Sequence, residues 1–405
     1  MAAGVQLSNL PTLAWSSAVR PSRNSLIAIL VLVCGCGGTG TTGSEDQPDR
    51  FPGVAAALNL NLDQLANYAN PSWPVHYDAN IRNQDNTPAS NPVTDQGATL
   101  GRVLFHDTQL SINNTISCAT CHRSGAGFTD PATLSVGFNG SDRTGAHSMR
   151  LGNARFYRPG LAFWDRRAAS LEAQATQPIR NAVEMGFDDA HGGFTALTAR
   201  MAGLAYYPEL FRFVYGDPAI TEDRIQRAIA QYVRSIVSVN SRFDQGFAQV
   251  FNPQLTDRGL NAPFPGFTQE ENRGKQLFLQ APPQGGAGCA ACHVAPTFAL
   301  AANSLSNGLD AGETRIFKAP SLKSVALTGP YMHDGRILSL EEVVEHYVSG
   351  VREGPALDNR LRGPGGIPQR LQLGAADKAA LVAFLRTLTD NALGADARFS
   401  DPFKR

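Results

Sequence analysis

Two stretches, Cys118-Ala-Thr-Cys121-His122 and Cys289-Ala-Ala-Cys292-His293, decide how this chain folds. Cys-x-x-Cys-His is the covalent attachment site of a c-type haem. In each copy, two thiols one helical turn apart can form thioethers with the haem, and the next histidine can bind the iron. A dithiol redox motif or half of a zinc site explains one Cys-x-x-Cys pair, but not a histidine directly after both. The sequence therefore predicts two covalently bound haem c groups. Their attachment residues are Cys118, Cys121, His122, Cys289, Cys292 and His293.

Composition excludes some classes of function. The chain has 405 residues, with 35 basic and 35 acidic side chains and a formal net charge of zero. A protein that binds nucleic acid needs a basic surplus, which is absent here, so we expect no nucleic-acid partner. The 39 glycines and 25 prolines favour a globular protein with many loops.

The N-terminus is typical of an exported protein. Arg20 and Arg23 precede the apolar stretch 26–33, which is too short to cross a bilayer as a mature helix. Cys36 follows a glycine and precedes two more, as in a bacterial lipoprotein cleavage site. We predict a lipoprotein-type signal at 1–36, a flexible linker at 37–50, and a periplasmic protein anchored by a lipid on Cys36. The alternative is an ordinary secretory signal.

The surroundings of the two haem motifs are repeated. Residues 97–105 and 270–278 each form a short amphipathic helical pattern that ends in Leu-Phe and precedes a motif. A second amphipathic stretch follows each motif much later, at 221–240 and at 375–390.

A cytochrome c domain has the same order of elements: a first helix, a loop that carries the haem motif, and a late helix. Its first and last helices pack together. We therefore predict a mostly α-helical protein with two cytochrome c-like haem domains and long loops. The N-terminal haem domain is placed at 51–245 and the C-terminal one at 246–405.

The sixth ligand of each iron decides what the haem can do. An iron with only a proximal histidine can bind peroxide or oxygen, whereas a sixth protein ligand makes it an electron relay. Spacing alone does not choose among the candidate distal ligands of the first haem, which are His106, His147, Met149, Met185 and His191.

Three further residues suit peroxide chemistry. Cleaving an O–O bond needs a group that moves a proton between the two oxygens, and a desolvated carboxylate such as Glu184 can do this. Gln174 can position peroxide or water by hydrogen bonds. Trp164 can pass electrons if it lies between the haems. Each residue alone also has an ordinary explanation, as a core tryptophan or as a polar residue on a helix surface.

The order of these residues resembles a known family. The run Trp164-Asp-Arg-Arg-Ala-Ala-Ser-Leu-Glu-Ala-Gln174, then Pro178 and Val183-Glu-Met-Gly186, resembles the bacterial di-haem cytochrome c peroxidases and their MauG-type relatives. So do Phe317-Lys-Ala-Pro-Ser-Leu and the run from Leu327 to Gly335. The resemblance extends from about residue 94 to residue 389.

The resemblance implies a role for each matching residue. The N-terminal haem would be the peroxide site and the C-terminal haem the point of electron entry. Glu184 would be the acid–base residue, Gln174 the amide of the pocket and Trp164 the tryptophan between the haems. Thr328 and Pro330 match carbonyl donors to a calcium ion between the domains.

The chain departs from the peroxidases at the first haem. Their distal histidine follows the first motif within a Gly-His pair, but here the matching stretch reads Val136-Gly137-Phe138. We therefore expect the first iron to be open without reductive activation, as in MauG-type proteins, where a proline at the position of Pro178 crowds the distal side. His147 remains a rival ligand.

A second departure concerns the other haem. The peroxidases place a methionine ligand fourteen residues after the histidine of His-Asp-Gly, and from His333 that position is Tyr347. MauG-type proteins use tyrosine there, and an anionic phenolate should lower the potential relative to methionine. Met332 and His346 are alternatives, and Tyr347 could also be only a packed helix residue.

The third departure concerns calcium. Where the family has an asparagine, this chain reads His147-Ser-Met-Arg150, and imidazole is a poor calcium ligand. Thr328 and Pro330 can still offer carbonyls, so a calcium ion stays among the expected cofactors.

Three functions follow from these features. The first is a di-haem peroxidase that reduces hydrogen peroxide with electrons from a small cytochrome c or cupredoxin. The second is a MauG-type oxidase that modifies a residue of a partner protein, favoured by Tyr347 and the missing distal histidine. The third is a di-haem electron carrier with no turnover.

Overall fold

Helices form most of the regular structure in the computed structural model, which describes residues 50–404. The predicted signal at 1–36, with Cys36, and nearly all of the predicted linker lie outside the described residues. The helices are α1 (Pro52–Ala57), α2 (Ala79–Arg82), α3 (Asp95–His106), α4 (Cys118–Cys121), α5 (Leu171–Ala175), α6 (Gln177–Arg180), α7 (Gly193–Ala202), α8 (Tyr206–Tyr215), α9 (Glu222–Ser235), α10 (Arg242–Val250), α11 (Gln269–Leu279), α12 (Leu340–Glu345), α13 (Ala375–Thr387) and α14 (Asn391–Ala395). Strands β1 (His293–Val294) and β2 (Ala299–Leu300) form one short antiparallel pair.

The first core is built on the crossing of α3 and α9. The side chain of Thr94 caps α3 by accepting a hydrogen bond from the amide of Gly97, and Thr221 caps α9 in the same way. At the crossing, a Cβ on Gly101 would lie 2.0 Å from the carbonyl oxygen of Ala228. Only glycine lets the two backbones approach this closely. Buried apolar residues of both helices fill the space around the crossing, among them Leu100, Val103, Leu104, Phe105, Ile225, Ile229 and Tyr232.

The second core repeats this arrangement with α11 and α13. A Cβ on Gly274 would lie 1.8 Å from the carbonyl oxygen of Ala380, so a glycine again permits the crossing. The predicted pairing of first and last helices, and the mostly helical fold with two cytochrome c-like halves, are confirmed. Buried side chains around this crossing include Leu277, Phe278, Leu381, Phe384 and Leu385.

Residues outside the four crossing helices complete each core. Phe243 and Phe247 of α10 pack in the second core. Leu393 and Phe399, near the C-terminus, pack in the first core. The return of Leu393 and Phe399 to the first core joins the two cores. The division of the chain at residue 245 stays a prediction.

The late helix of the first core is shorter than expected. The sequence predicts a helix over 221–240, but α9 ends at Ser235. Beyond it, the Ser238 amide donates to Asn153 Oδ1 (2.7 Å) and the Asn240 amide donates to Asp390 Oδ2 (3.1 Å). These side-chain acceptors replace the helical ones and hold the segment extended. Within the described residues, no helix is long and apolar enough to cross a membrane.

Candidate haem sites

The first attachment motif is a single helical turn. Ser117 and Thr120 form a capping box at the start of α4, which places Cys118 and Cys121 on one short turn. His122 follows, with its Nδ1 3.1 Å from the carbonyl oxygen of Phe128 and 3.2 Å from the hydroxyl of Ser148. Burial lowers the pKa of His122 to about 4, so the ring is neutral near pH 7. A proton on Nδ1, shared with the carbonyl, leaves Nε2 as the iron ligand.

The second motif lines a cavity of about 200 Å³. Cys289, Cys292 and His293 all face it. Burial lowers the pKa of His293 to about 4, which again leaves a neutral imidazole. These residues fit a covalently attached haem, since both thiols, the histidine and an apolar wall are present together. The wall comes from α11, α12 and α13, through Phe278, Leu340, Val344, Leu381 and Leu385.

Two of the three candidate ligands for the second iron also line this cavity. The Asn307 amide nitrogen lies 3.5 Å from the Tyr347 hydroxyl and 3.3 Å from the Met332 sulfur, so the two side chains approach one point. His346 does not line the cavity, and its Nε2 lies 3.1 Å from the Asn307 carbonyl oxygen. The choice of Tyr347 over Met332 stays a prediction.

Tyr347 lies in a π-helical turn, His346–Gly350, directly after α12. Such turns are uncommon and often occur at functional sites. Burial raises the pKa of Tyr347 to about 12, so its phenol needs a close cation such as iron to lose the proton near neutral pH.

Glu184 lies beside the first attachment motif. The side-chain oxygen of Asn181 accepts hydrogen bonds from the amides of Val183 (2.8 Å) and Glu184 (3.1 Å), which fixes the loop. Burial raises the pKa of Glu184, while the positive charge of Arg167 opposes this. Burial is also the main cause of the raised pKa of Cys121, and the charge of Glu184 adds to it. The carboxyl group is therefore partly desolvated and close to the first haem site.

The stretch 136–138 packs directly on this loop. A Cβ on Gly137 would lie 2.1 Å from the carbonyl oxygen of Val183. The amide of Phe138 donates to the carbonyl oxygen of Glu184 at 3.1 Å. The residue beside Glu184 is thus a phenylalanine, which cannot bind iron.

Gln174 lies in the last turn of α5. It is half-buried, and no hydrogen bond of its side-chain amide occurs within residues 50–404, so the amide is available to a ligand. Glu172, two residues earlier, is structural. It pairs with Arg234 at 2.5 and 3.0 Å and accepts from Asn91 at 2.8 Å. Burial opposes its ionisation, but these hydrogen bonds lower its pKa to about 2.

The other candidate distal ligands have other contacts. His147 is buried, with Nδ1 3.1 Å from the Thr133 carbonyl oxygen and Nε2 3.3 Å from the Thr129 hydroxyl, so both ring nitrogens are engaged. His191 pairs with Asp188 at 2.6 Å on the surface. His106 lies near the Tyr232 hydroxyl, and Met185 is buried in the first core. Met149 is half-buried and directly follows Ser148.

Trp164 connects the two sites. Its Nε1–H donates to the carbonyl oxygen of His147 at 2.8 Å, and its ring lines the cavity of the second motif. Ser148, the next residue, contacts His122. Sequence reasoning missed Ser148, although its neighbour His147 was a candidate ligand.

The residues at the predicted calcium position do not suit that ion. The Thr328 hydroxyl donates to the carbonyl oxygen of Val325 at 3.0 Å and accepts a hydrogen bond of 2.8 Å from Arg150 Nη1. Arg150 contacts the hydroxyl of Thr328 and not the carbonyl expected to bind calcium, but its positive charge next to that residue disfavours a divalent cation there.

Comparisons with known proteins bear on the family of the chain. The family model described as "Di-haem cytochrome c peroxidase" matches residues 95–250. The methylamine utilization protein MauG of Methylorubrum extorquens is 33% identical over 317 residues, covering 74% of this chain and 80% of the relative. The cytochrome c551 peroxidase of Nitrosomonas europaea is 30% identical over 319 residues, covering 74% and 82%.

A solved structure of a MauG-like protein associated with microbial copper homeostasis is 31% identical, with a TM-score of 0.64, and covers 78% of this chain and 96% of that chain. The diheme peroxidase BthA from Burkholderia thailandensis has the same fold, with a TM-score of 0.55 at 21% identity over 76% of this chain and 88% of that one. These likenesses extend over both haem motifs and most of each relative. The chain therefore belongs to the di-haem cytochrome c peroxidase family.

Proposed function

We propose that this protein is a periplasmic di-haem c-type peroxidase that reduces hydrogen peroxide with electrons from a small cytochrome c or cupredoxin. One observation carries the proposal: the partly buried carboxyl group of Glu184, whose pKa is raised by burial, lies close enough to the first haem motif for its charge to act on Cys118 and Cys121. Phe138 stands beside it, at the place where the peroxidases have a histidine. A proton-transfer group without a competing iron ligand is what peroxide cleavage requires.

The first haem, when bound, would supply an iron that binds peroxide and takes part in its two-electron reduction. His122 would hold this iron through Nε2, since its Nδ1 lies 3.1 Å from the carbonyl oxygen of Phe128. The Glu184 carboxylate would take a proton from one oxygen of peroxide and return it to the other as the O–O bond breaks. Two electrons, supplied through the haems by the donor, and two protons from solvent would complete the reduction of hydrogen peroxide to two water molecules. The free amide of Gln174 orients peroxide by hydrogen bonds.

Electrons would enter at the second haem and reach the first haem by way of the backbone segment 147–148. Trp164 supports this route because it contacts both the cavity of His293 and the backbone of His147. The donor would be a small soluble redox protein, as for cytochrome peroxidases of this family.

A second candidate is a MauG-type oxidase, favoured by the phenol of Tyr347 in the second cavity. MauG relatives 30 to 33% identical to this chain add to its support. Such an enzyme would hold two oxidising equivalents across both haems and deliver them to a residue of a partner protein.

The location of the protein is part of the proposal. Covalent haem attachment and the apolar stretch at 26–33 favour export, and a lipid on Cys36 would be the link to the membrane. Changing Cys36 to alanine should release the mature protein into the soluble periplasmic fraction. Retention of that variant in the membrane fraction would exclude the lipid anchor.

The deciding experiment is EPR spectroscopy of the ferric holoprotein, combined with an assay of peroxide-dependent oxidation of a reduced small cytochrome. We expect a high-spin component from the first haem and turnover with peroxide. An electron carrier would instead give two low-spin signals and no turnover, which would exclude both enzymatic functions. Peroxide consumption that needs a partner protein, with no oxidation of the small cytochrome, would select the MauG-type function.

A further inference from the structure

The guanidinium of Arg150 is bound only by neutral groups. It donates to the Thr328 hydroxyl at 2.8 Å, to the Pro320 carbonyl oxygen at 3.5 Å, and to the carbonyl oxygen of Ser321. Within residues 50–404 no carboxylate lies close enough to form an ion pair with it. The side chain also lines the cavity that holds Cys289, Cys292 and His293.

A desolvated cation without an anion is costly, and proteins rarely leave one uncompensated. Burial lowers the pKa of Arg150 to about 10, which leaves the group charged near pH 7. The missing anion must come from something that enters the cavity. A c-type haem carries two propionate carboxylates, and a guanidinium binds carboxylates through paired hydrogen bonds.

We infer that the guanidinium of Arg150 binds a propionate carboxylate of the second haem. Arg150 then supplies the positive charge beside Thr328, so the predicted calcium position at Thr328 and Pro330 does not hold calcium. The inference rests on the presence of the second haem. It does not depend on peroxide turnover, so it and the proposed function can fail separately.

The surroundings of Thr328 argue against calcium independently. An ion bound by the carbonyl of Thr328 would lie on a residue whose hydroxyl already accepts a hydrogen bond of 2.8 Å from the Arg150 guanidinium, and that positive charge would repel it. At the position of the family's asparagine, His147 offers no side-chain oxygen. Its backbone carbonyl oxygen accepts from Trp164 instead. A hard divalent cation needs several oxygen ligands. The expected ones here are the carbonyl oxygens of Thr328 and Pro330, and the positive charge of Arg150 lies next to Thr328.

The first test is on the wild-type holoprotein. After dialysis against a chelator, metal analysis should find no calcium bound, the haem spectrum should be unchanged, and titration with calcium chloride should give no binding heat. Stoichiometric calcium, or a haem spectrum that changes with the chelator and recovers with calcium, would overturn the inference.

The second test compares Arg150→Gln and Arg150→Lys with the exposed control Arg143→Gln. Arg150→Gln removes the guanidinium and leaves the negative charge of the propionate uncompensated. A negative charge near the haem stabilises ferric iron relative to ferrous iron. Arg150→Gln should therefore lower the reduction potential of the second haem, measured by spectroelectrochemistry. Arg150→Lys should restore most of it, and Arg143→Gln should leave it unchanged. Unchanged potentials in Arg150→Gln would contradict the inference. If Arg150→Gln does not yield holoprotein, the calcium measurements on the wild type decide.

Discussion

The indole Nε1–H of Trp164 donates a hydrogen bond of 2.8 Å to the backbone carbonyl of His147. The hydroxyl of Ser148 lies 3.2 Å from Nδ1 of His122, while the ring of Trp164 lines the cavity of His293. His147, Ser148 and the indole of Trp164 therefore form a continuous set of contacts from His122 to the cavity of His293.

Trp164→Phe should slow steady-state peroxide reduction with an external donor. The substitution removes the hydrogen bond to His147 and the more easily oxidised ring, while the haem content should not change. Stopped-flow spectroscopy should show slower electron transfer between the haems. Trp73→Phe is the matched control, since Trp73 stacks on Tyr77 in a separate cluster. Equal rates in the two variants would exclude a role for Trp164 in the route.

Glu184→Gln should reduce the rate of peroxide turnover by about 10² to 10⁴, because it removes the proton-transfer group. The base form of Glu184 is the reactive one, and burial raises its pKa. Activity of the wild type should therefore fall as pH decreases through a value above the ordinary pKa of a glutamate.

Two comparisons make the Glu184 experiment specific. Glu270→Gln, an exposed change in the first turn of α11, should retain normal turnover. The acid limb of the pH profile should disappear in Glu184→Gln. Normal turnover by Glu184→Gln would show that another group moves the proton.

Tyr347→Phe should change the ferric spectrum and the reduction potential of the second haem, because it removes the phenol that lines the cavity. Tyr347→Met should raise that potential, since methionine ligation favours the reduced iron. Met332→Leu keeps the volume and should leave both properties unchanged. The opposite pattern, with an effect only in Met332→Leu, would assign the ligand to Met332.

The sequence predicted the parts of the fold that depend on short-range pattern. The motifs at Cys118 and Cys289, the capped helices and the repeated apolar spacing each leave a local signal. The crossings at Gly101 and Gly274 are consistent with that pattern, but the pattern does not show that a carbonyl oxygen lies against each glycine.

Long-range contacts were not predictable in this way. Leu393 and Phe399 return to the first core although they follow the second motif by a hundred residues. Arg150 faces the second cavity although it lies much closer in sequence to the first motif. A lone arginine or serine in a loop has no periodicity, so its partner can be found only in three dimensions.

Glu172→Gln should destabilise the protein by about 3 kcal/mol, because it leaves Arg234 buried without its partner carboxylate. The Arg234 side chain is only 2% exposed and that of Glu172 17%. Thermal unfolding of the holoprotein, followed by circular dichroism at pH 7, measures the effect. Glu341→Gln breaks an exposed pair with Arg386 and should have little effect.

The same pair predicts a pH dependence. The pKa of Glu172 is lowered from 4.5 to about 2, so its contribution is fully present above about pH 4.5 and lost as pH falls toward 2. The stability difference between wild type and Glu172→Gln should therefore shrink over that interval. A difference that does not change between pH 7 and pH 3 would contradict this assignment.

Gly101→Ala should destabilise the first core by about 1 to 3 kcal/mol or more, because the new methyl group would meet the carbonyl oxygen of Ala228 at 2.0 Å. Neither backbone can move without separating α3 from α9, the two helices on which the first core is built. Gly145→Ala has nothing within 4 Å of the added Cβ and serves as the control. Loss of stability measured by chemical denaturation should thus be confined to Gly101→Ala. If both variants unfold at the same denaturant concentration as the wild type, the close crossing of α3 and α9 does not limit stability.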